Sequence, residues 1–234
     1  MTATIMPIAP PAPAWVIVAL ITCGLLVDQH LVVWGQTIIN FATWAVLLYW
    51  MTQSSPATRL NLAICVVYAT LGEIFLSLVW GLYDYRLGNI PLFVPPGHAL
   101  LFALGVILAT RLPEWITWAV PLTAAPLIIA LALNGSDTLG PPLFALLLIC
   151  MAFSRARKLY AVMFMLALTM EIYGTTLGNW AWHQEVPWLG LATLNPPLAA
   201  GAFYCVLDLL VVTTATLFTR WGKATAQPQL AKRR

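Results

Sequence analysis

The chain has 234 residues, 61% of them hydrophobic and only 8% charged, with 11 Lys/Arg against 8 Asp/Glu. Soluble domains run near 25% charged, so this composition cannot clothe a water-facing surface and marks an integral membrane protein. At about 20 residues per crossing, the length admits at most about eight helices with short loops.

Residues 1–13, rich in Pro and Ala and free of Lys and Arg, lack the charged start of a signal peptide and read as a retained, flexible lead-in. Hydropathy then marks eight apolar runs, at 14–33, 37–51, 60–80, 97–110, 115–133, 141–153, 159–177 and 197–219. Turn chemistry separates two of the joints, Ser54-Ser55-Pro56 and Asn134-Gly135-Ser136-Asp137. The second, fourth and sixth runs are short for full spans, which tilt or extension into the flanks accommodates. The fold expected is an all-α polytopic membrane bundle of about eight transmembrane helices. It divides into halves at 14–111 and 112–220, followed by a basic tail at 221–234.

Charge sets the expected orientation. Arg59, Arg111, Arg155, Arg157, Lys158, Arg220, Lys223, Lys232, Arg233 and Arg234 all fall in one alternate set of loops or in the tail, and Arg86 alone lies opposite. That bias predicts both termini on the cytoplasmic side of a bacterial inner membrane. The tail reads as a topology signal in contact with anionic lipid, not as a nucleic-acid site.

Two acids stand out in this apolar background. Glu73 and Glu171 are each the lone charge of a long apolar run, and a carboxylate inside a bilayer is costly enough to mark function. Each is followed by a glycine, two aromatics one residue apart and a proline-rich return: Gly81, Tyr83, Tyr85 and Pro95-Pro96 after the first, Gly178, Trp180, Trp182 and Pro196-Pro197 after the second. The units fall in the third helix of each four-helix half, which predicts two parallel repeats about an axis along the membrane normal.

Further polar residues gather towards the same end of the bundle. They include Asp28-Gln29-His30, the stripe Gln36, Asn40 and Thr43, and the stripe Thr70, Glu73, Ser77 and Trp80. His98 follows Pro95-Pro96, and Asn195, suited to cap the eighth helix, precedes Pro196-Pro197, with Tyr204 and Asp208 beyond. Glu73 stands seven residues before Trp80, roughly 10 Å below the helix end. A polar basin open to the outer side results, with helix N-termini aimed into it.

Each candidate has a plainer alternative. Glu73 and Glu171 can serve as interhelical hydrogen-bond glue, His98 as a helix cap, and the paired aromatics as interfacial belt residues. Asp208 stands alone in the eighth helix. His30 and His183 lie near the outer boundary, and no two histidines have helical metal-site spacing, so no metal or other cofactor is expected. The cysteines Cys23, Cys65, Cys150 and Cys205 form no CxxC pair, which predicts neither disulfides nor structural zinc. No nucleotide-binding loop, serine nucleophile elbow or HExxH is present.

The first unit, with Glu73, Gly81-Leu82-Tyr83-Asp84-Tyr85, Leu87-Gly88 and Pro91-Leu92-Phe93-Val94-Pro95, resembles the membrane carotenoid hydratases of the bisanhydrobacterioruberin and 1′,2′-hydratase kind. The second, Glu171-Ile172-Tyr173-Gly174-Thr175 with Gly178-Asn179-Trp180-Ala181-Trp182 and Asn195-Pro196-Pro197, is similar in flavour. The resemblance implies hydration of a carbon–carbon double bond near the end of a long isoprenoid. Glu73 and Glu171 are then expected as the acid/base pair, with Asp208 and His98 in support. Tyr83, Tyr85, Trp180, Trp182, Asn195 and Asn40 are expected to bind the substrate, ring faces stabilising a developing cation. Two other classes stay open: a small-molecule transporter, and a non-catalytic membrane subunit binding pigment, lipid or a partner protein.

Overall fold

A computed structural model describes residues 14–31, 33–154 and 156–231, with only the helical backbone given over 221–231. The lead-in at 1–13, Arg155 and residues 232–234 of the basic tail lie outside the described residues. Among those described, eight α-helices form: α1 (Trp15–His30), α2 (Gly35–Gln53), α3 (Pro56–Glu73), α4 (Val94–Arg111), α5 (Ile116–Leu133), α6 (Gly140–Phe153), α7 (Arg157–Leu177) and α8 (Gly201–Ala231). Five of them are long and apolar enough to cross a membrane: α3 with its extension to Val79, α4, α5, α7, and α8 over Gly201–Arg220. The chain is therefore a helical membrane protein. α1 and α6 are apolar but shorter, at 16 and 14 residues. Length and apolarity thus support fewer crossings than the eight expected.

Local chemistry accounts for the helix ends. Ser55 caps α3, accepting from the Thr58 N–H at 3.2 Å, and Pro56 fills the first helical position, where a missing N–H costs nothing. Pro95 and Pro96 follow Val94 in the first turn of α4, where a backbone N–H would also lack a partner within the helix. The eighth helix departs from expectation. It starts at Gly201, beyond Pro196-Pro197, and Asn195 does not cap it because its Oδ1 accepts the Trp182 N–H at 2.9 Å. At its far end α8 continues to Ala231, so residues 221–231 of the expected tail are helical.

Four short strands qualify the all-α expectation: β1 (Tyr83–Tyr85), β2 (Trp180–Trp182), β3 (Glu185–Val186) and β4 (Leu191–Ala192). β1 pairs antiparallel with β2, setting Tyr83 opposite Trp182 and Tyr85 opposite Trp180. Alternate side chains of a strand share a face. The one-residue spacing of each aromatic pair therefore turns all four rings inward, while Asp84 and Ala181 face out. The glycine before each strand takes positive φ, 73° at Gly81 and 82° at Gly178, which ends the helix and turns the chain into the strand.

The helices before the two strands differ in one respect. α3 passes at Glu73 into a π-helical turn, Ile74–Val79, whereas α7 stays α-helical to Leu177. The acid-to-first-aromatic spacing is ten residues in the first case and nine in the second. A π turn takes up one more residue per hydrogen-bonded loop than an α turn. It thus absorbs the extra residue and returns Tyr83 to the face of Glu73. At the centre, α3 packs on α4 and α8, and α7 packs on α4, α5 and α8.

Candidate functional site

Glu73, on the last turn of α3, and Glu171, on α7, are both buried at 6% exposure. Their donor sets correspond. Oε2 of Glu73 accepts from the Tyr83 and Tyr85 hydroxyls at 2.8 and 2.7 Å. Oε2 of Glu171 accepts from the Trp180 and Trp182 indole N–H groups at 2.8 and 3.0 Å. Burial pushes both phenols well above the ordinary tyrosine range, so each stays a donor.

The remaining oxygens face the next helices of the bundle. Oε1 of Glu73 lies 3.5 Å from His98 Nε2 on α4, and Oε1 of Glu171 accepts from the Tyr204 hydroxyl on α8 at 3.0 Å. The His98 and Tyr204 rings stack on each other, 4.9 Å between centroids and 3° from parallel. One contiguous polar cluster therefore joins the two acids.

The hydrogen bonds constrain where protons sit. His98 Nδ1 lies 2.9 Å from the Val94 carbonyl, which only accepts, so Nδ1 carries a hydrogen and Nε2 is the atom turned to Glu73. Glu171 meets indole N–H groups, which donate and cannot accept, and a phenol donating to its other oxygen. That environment matches a carboxylate.

A cavity of roughly 70 Å³ opens on this cluster, its wall made mostly of apolar residues such as Leu20, Ile21, Ile39, Phe93, Leu100 and Met170. Glu73, Glu171, Tyr83, Tyr85, His98 and Trp180 all reach it, as does Tyr204. An apolar pocket with a few convergent polar groups is the usual form of a small-molecule site. A second space, of roughly 60 Å³, lies on the other side of the cluster between α3 and α8, and Trp182 lines this one.

Several expected participants stand elsewhere. Asp208 is fully buried in α8 with neither carboxylate oxygen hydrogen-bonded, and it lines neither space. It sits one helical turn beyond Tyr204, so its side chain clears the cluster by about 6 Å of helix rise. Asn40 is half-buried outside both linings; Ile39 and Thr43 of the same helix contribute instead. Asn195 acts at one remove, holding the Trp182 backbone. His30 is exposed, and His183 makes an exposed pair with Asp84 at 2.7 Å. Among the described residues no cluster of three or more His, Cys, Asp or Glu is placed to hold a metal.

Sequence reasoning left two features out of the site. Tyr204 is one; it follows the second proline pair as His98 follows the first, but seven residues on instead of two, so the spacing hides the correspondence. The other is a buried clamp beside the cluster. Asp28, 2% exposed, faces Arg86 at 3.5 Å and accepts from the Asn179 amide at 2.8 Å. It ties α1 to both aromatic strands, because Asn179 and Arg86 flank β2 and β1 and are themselves linked, Arg86 N–H to Asn179 carbonyl, at 2.9 Å.

Trp180 packs directly over Gly174: a Cβ there would come within 2.0 Å of the indole ring. Gly174→Ala should push Trp180 off Glu171, at a cost of about 1–3 kcal/mol. The expected readouts are a lower melting temperature and a changed Trp180 environment in near-ultraviolet circular dichroism, with Trp180→Phe removing the difference.

No family model, curated protein or solved structure matches the chain.

Proposed function

We propose that this chain is a membrane enzyme that adds water to a carbon–carbon double bond of an isoprenoid or related lipid, in the manner of a carotenoid hydratase. The observation that carries the reading is the meeting of Glu73 and Glu171 at one apolar cavity, with matched donor sets and four inward aromatic rings. In this reading the two acid units descend from a duplicated four-helix segment. The remaining short helices complete an eight-span bundle in the cytoplasmic membrane with both termini inside, consistent with the Lys/Arg bias.

The proposed chemistry balances within the site. A proton carried by the Glu73 carboxyl moves to the less substituted alkene carbon, and the π electron pair becomes the new C–H bond. A tertiary cation is left on the neighbouring carbon, where the Glu171 carboxylate and the aromatic faces stabilise it. Water attacks that carbon through oxygen and gives a proton to Glu171. The alkene has gained one water, and the two carboxyls together hold as many protons as before. Glu73 serves as general acid and Glu171 as electrostatic stabiliser and general base. His98 and Tyr204 orient them.

The test is expression in cells that accumulate a linear carotenoid, followed by mass analysis of the lipid extract. The expected outcome is a new product heavier than its precursor by one water. An extract identical to that of cells lacking the chain counts against the hydratase reading. Vesicles that accumulate an unchanged substrate would favour transport instead.

A further inference from the structure

α4 ends at Arg111, α5 begins at Ile116 and α7 begins at Arg157. α4 and α5 both pack on α7, and the Lys158 ammonium donates to the Leu112 carbonyl at 3.2 Å, so the three ends meet. Glu171 lies fourteen residues along α7 from Arg157, about 21 Å of helix rise, which sets this junction apart from the acid pair. Between the ends lies a cleft of roughly 410 Å³, far roomier than either space beside the acids and within the range of small-molecule sites.

The cleft changes character along the helix axes. Val106 and Ala109 of α4, with Leu159 of α7, make an apolar inner part, and Val106 stands about 7 Å of rise inside the end of its helix. Glu114, Arg157 and Lys158 make the outer part. Trp118 of α5 stands at the side, 59% exposed, and Trp115 just before that helix is also exposed. The apolar spans of α4, α5 and α7 all begin or end at this level, and exposed tryptophan there is characteristic of head-group depth.

The outer part offers several donors to an anion. Arg157 Nε donates to the Met151 carbonyl at 3.0 Å, which holds the guanidinium and leaves its Nη edge without a hydrogen bond among the described residues. Arg157, Lys158 and Leu159 are the first residues of α7, so their N–H groups have no acceptor within the helix, and no side chain caps that end. The positive end of the α7 dipole adds to the two cations. Thr117, 6% exposed, lines the cleft with a hydroxyl that has no hydrogen-bond partner, whereas Thr110 and Thr123 turn theirs back on the preceding helical turn. The opposing charge is Glu114, which is exposed and pairs with Lys158. It therefore competes with an anionic ligand for that ammonium.

We propose that this cleft binds a phosphate group, and that the phosphate belongs to an anionic membrane lipid. Arg157, Lys158 and the first N–H groups of α7 hold the phosphate, while the glycerol and the start of an acyl chain run along Val106, Ala109 and Trp118. A soluble phosphate needs only the polar part; the apolar part and the depth of the cleft are what favour the lipid. The site stands independently of the hydratase reading.

The test uses the whole chain, purified in detergent and depleted of lipid, with bound lipids counted by native mass spectrometry. Phosphatidylglycerol should bind about tenfold more tightly than phosphatidylcholine. Arg157→Gln/Lys158→Gln should weaken the first phosphatidylglycerol about twentyfold, whereas Lys232→Gln/Arg233→Gln/Arg234→Gln in the tail should leave it within about twofold. Glu114→Gln should tighten it about threefold, a gain that a folding defect cannot produce. Melting temperatures at fixed ionic strength should rise with phosphatidylglycerol and stay unchanged with inorganic phosphate. Equal binding of the two lipids, a loss in the tail variant as large as in the cleft variant, or no gain in Glu114→Gln overturns the site. Stabilisation by inorganic phosphate as large as by phosphatidylglycerol overturns the lipid as the source of the phosphate.

Discussion

Glu73→Gln and Glu171→Gln should each lower the yield of hydrated product by about a thousandfold, the scale of a positioned acid or base. Both variants should nevertheless fold. The groups facing Oε2 of Glu73 are hydroxyls, which can donate or accept, so an amide can be seated there by rotating O–H bonds. A glutamine at 171 can keep its carbonyl oxygen on the two indole N–H groups and turn its amide to the Tyr204 hydroxyl, which can accept. Each variant should therefore melt close to wild type, within about 1 kcal/mol. Lipid extracts measured beside melting curves check both statements. Undiminished product in the two variants would remove the acid–base mechanism.

Arg86→Met should be among the most destabilising single changes in the chain. It leaves Asp28 buried without its cation and removes a donor to the Asp28 carbonyl. Breaking one side of a buried ion pair typically costs about 3–5 kcal/mol, because the surviving charge is stranded. Arg86 is 18% exposed at its side chain, so the lower end of that range is the better expectation. The double variant Asp28→Leu/Arg86→Met should recover much of the loss, since no charge is then buried alone. Melting temperatures of the four proteins in one detergent provide the cycle. Equal destabilisation in the single and double variants would show that the clamp acts through packing and not through charge.

The parts of the site that were legible in the sequence are those with local signatures. An acid in an apolar run, a helix-ending glycine and two aromatics at strand spacing sit within a dozen residues, and their recurrence draws the eye. The π turn was also written there, in the ten-against-nine spacing, and counting would have exposed it. Non-local partners were not legible. Nothing near Tyr83 says that its strand pairs with one 97 residues later, so Asn195 was read as a helix cap when its oxygen serves Trp182. Tyr204 and Asp208 lie one turn apart on α8, and the charged residue drew the assignment that the geometry gives to its uncharged neighbour.

The β1–β2 ribbon also carries a consequence for biogenesis. Its first strand leaves the ribosome well before its second, and at ordinary rates of synthesis the interval is roughly 5 to 20 seconds. Throughout that time Glu73 has its two tyrosines, but α8 and the tryptophan strand do not yet exist to close the far wall. The last large helix to be made is thus the one that seals the chamber, and a polypeptide released early would carry an exposed acid into the bilayer with half its shelter missing.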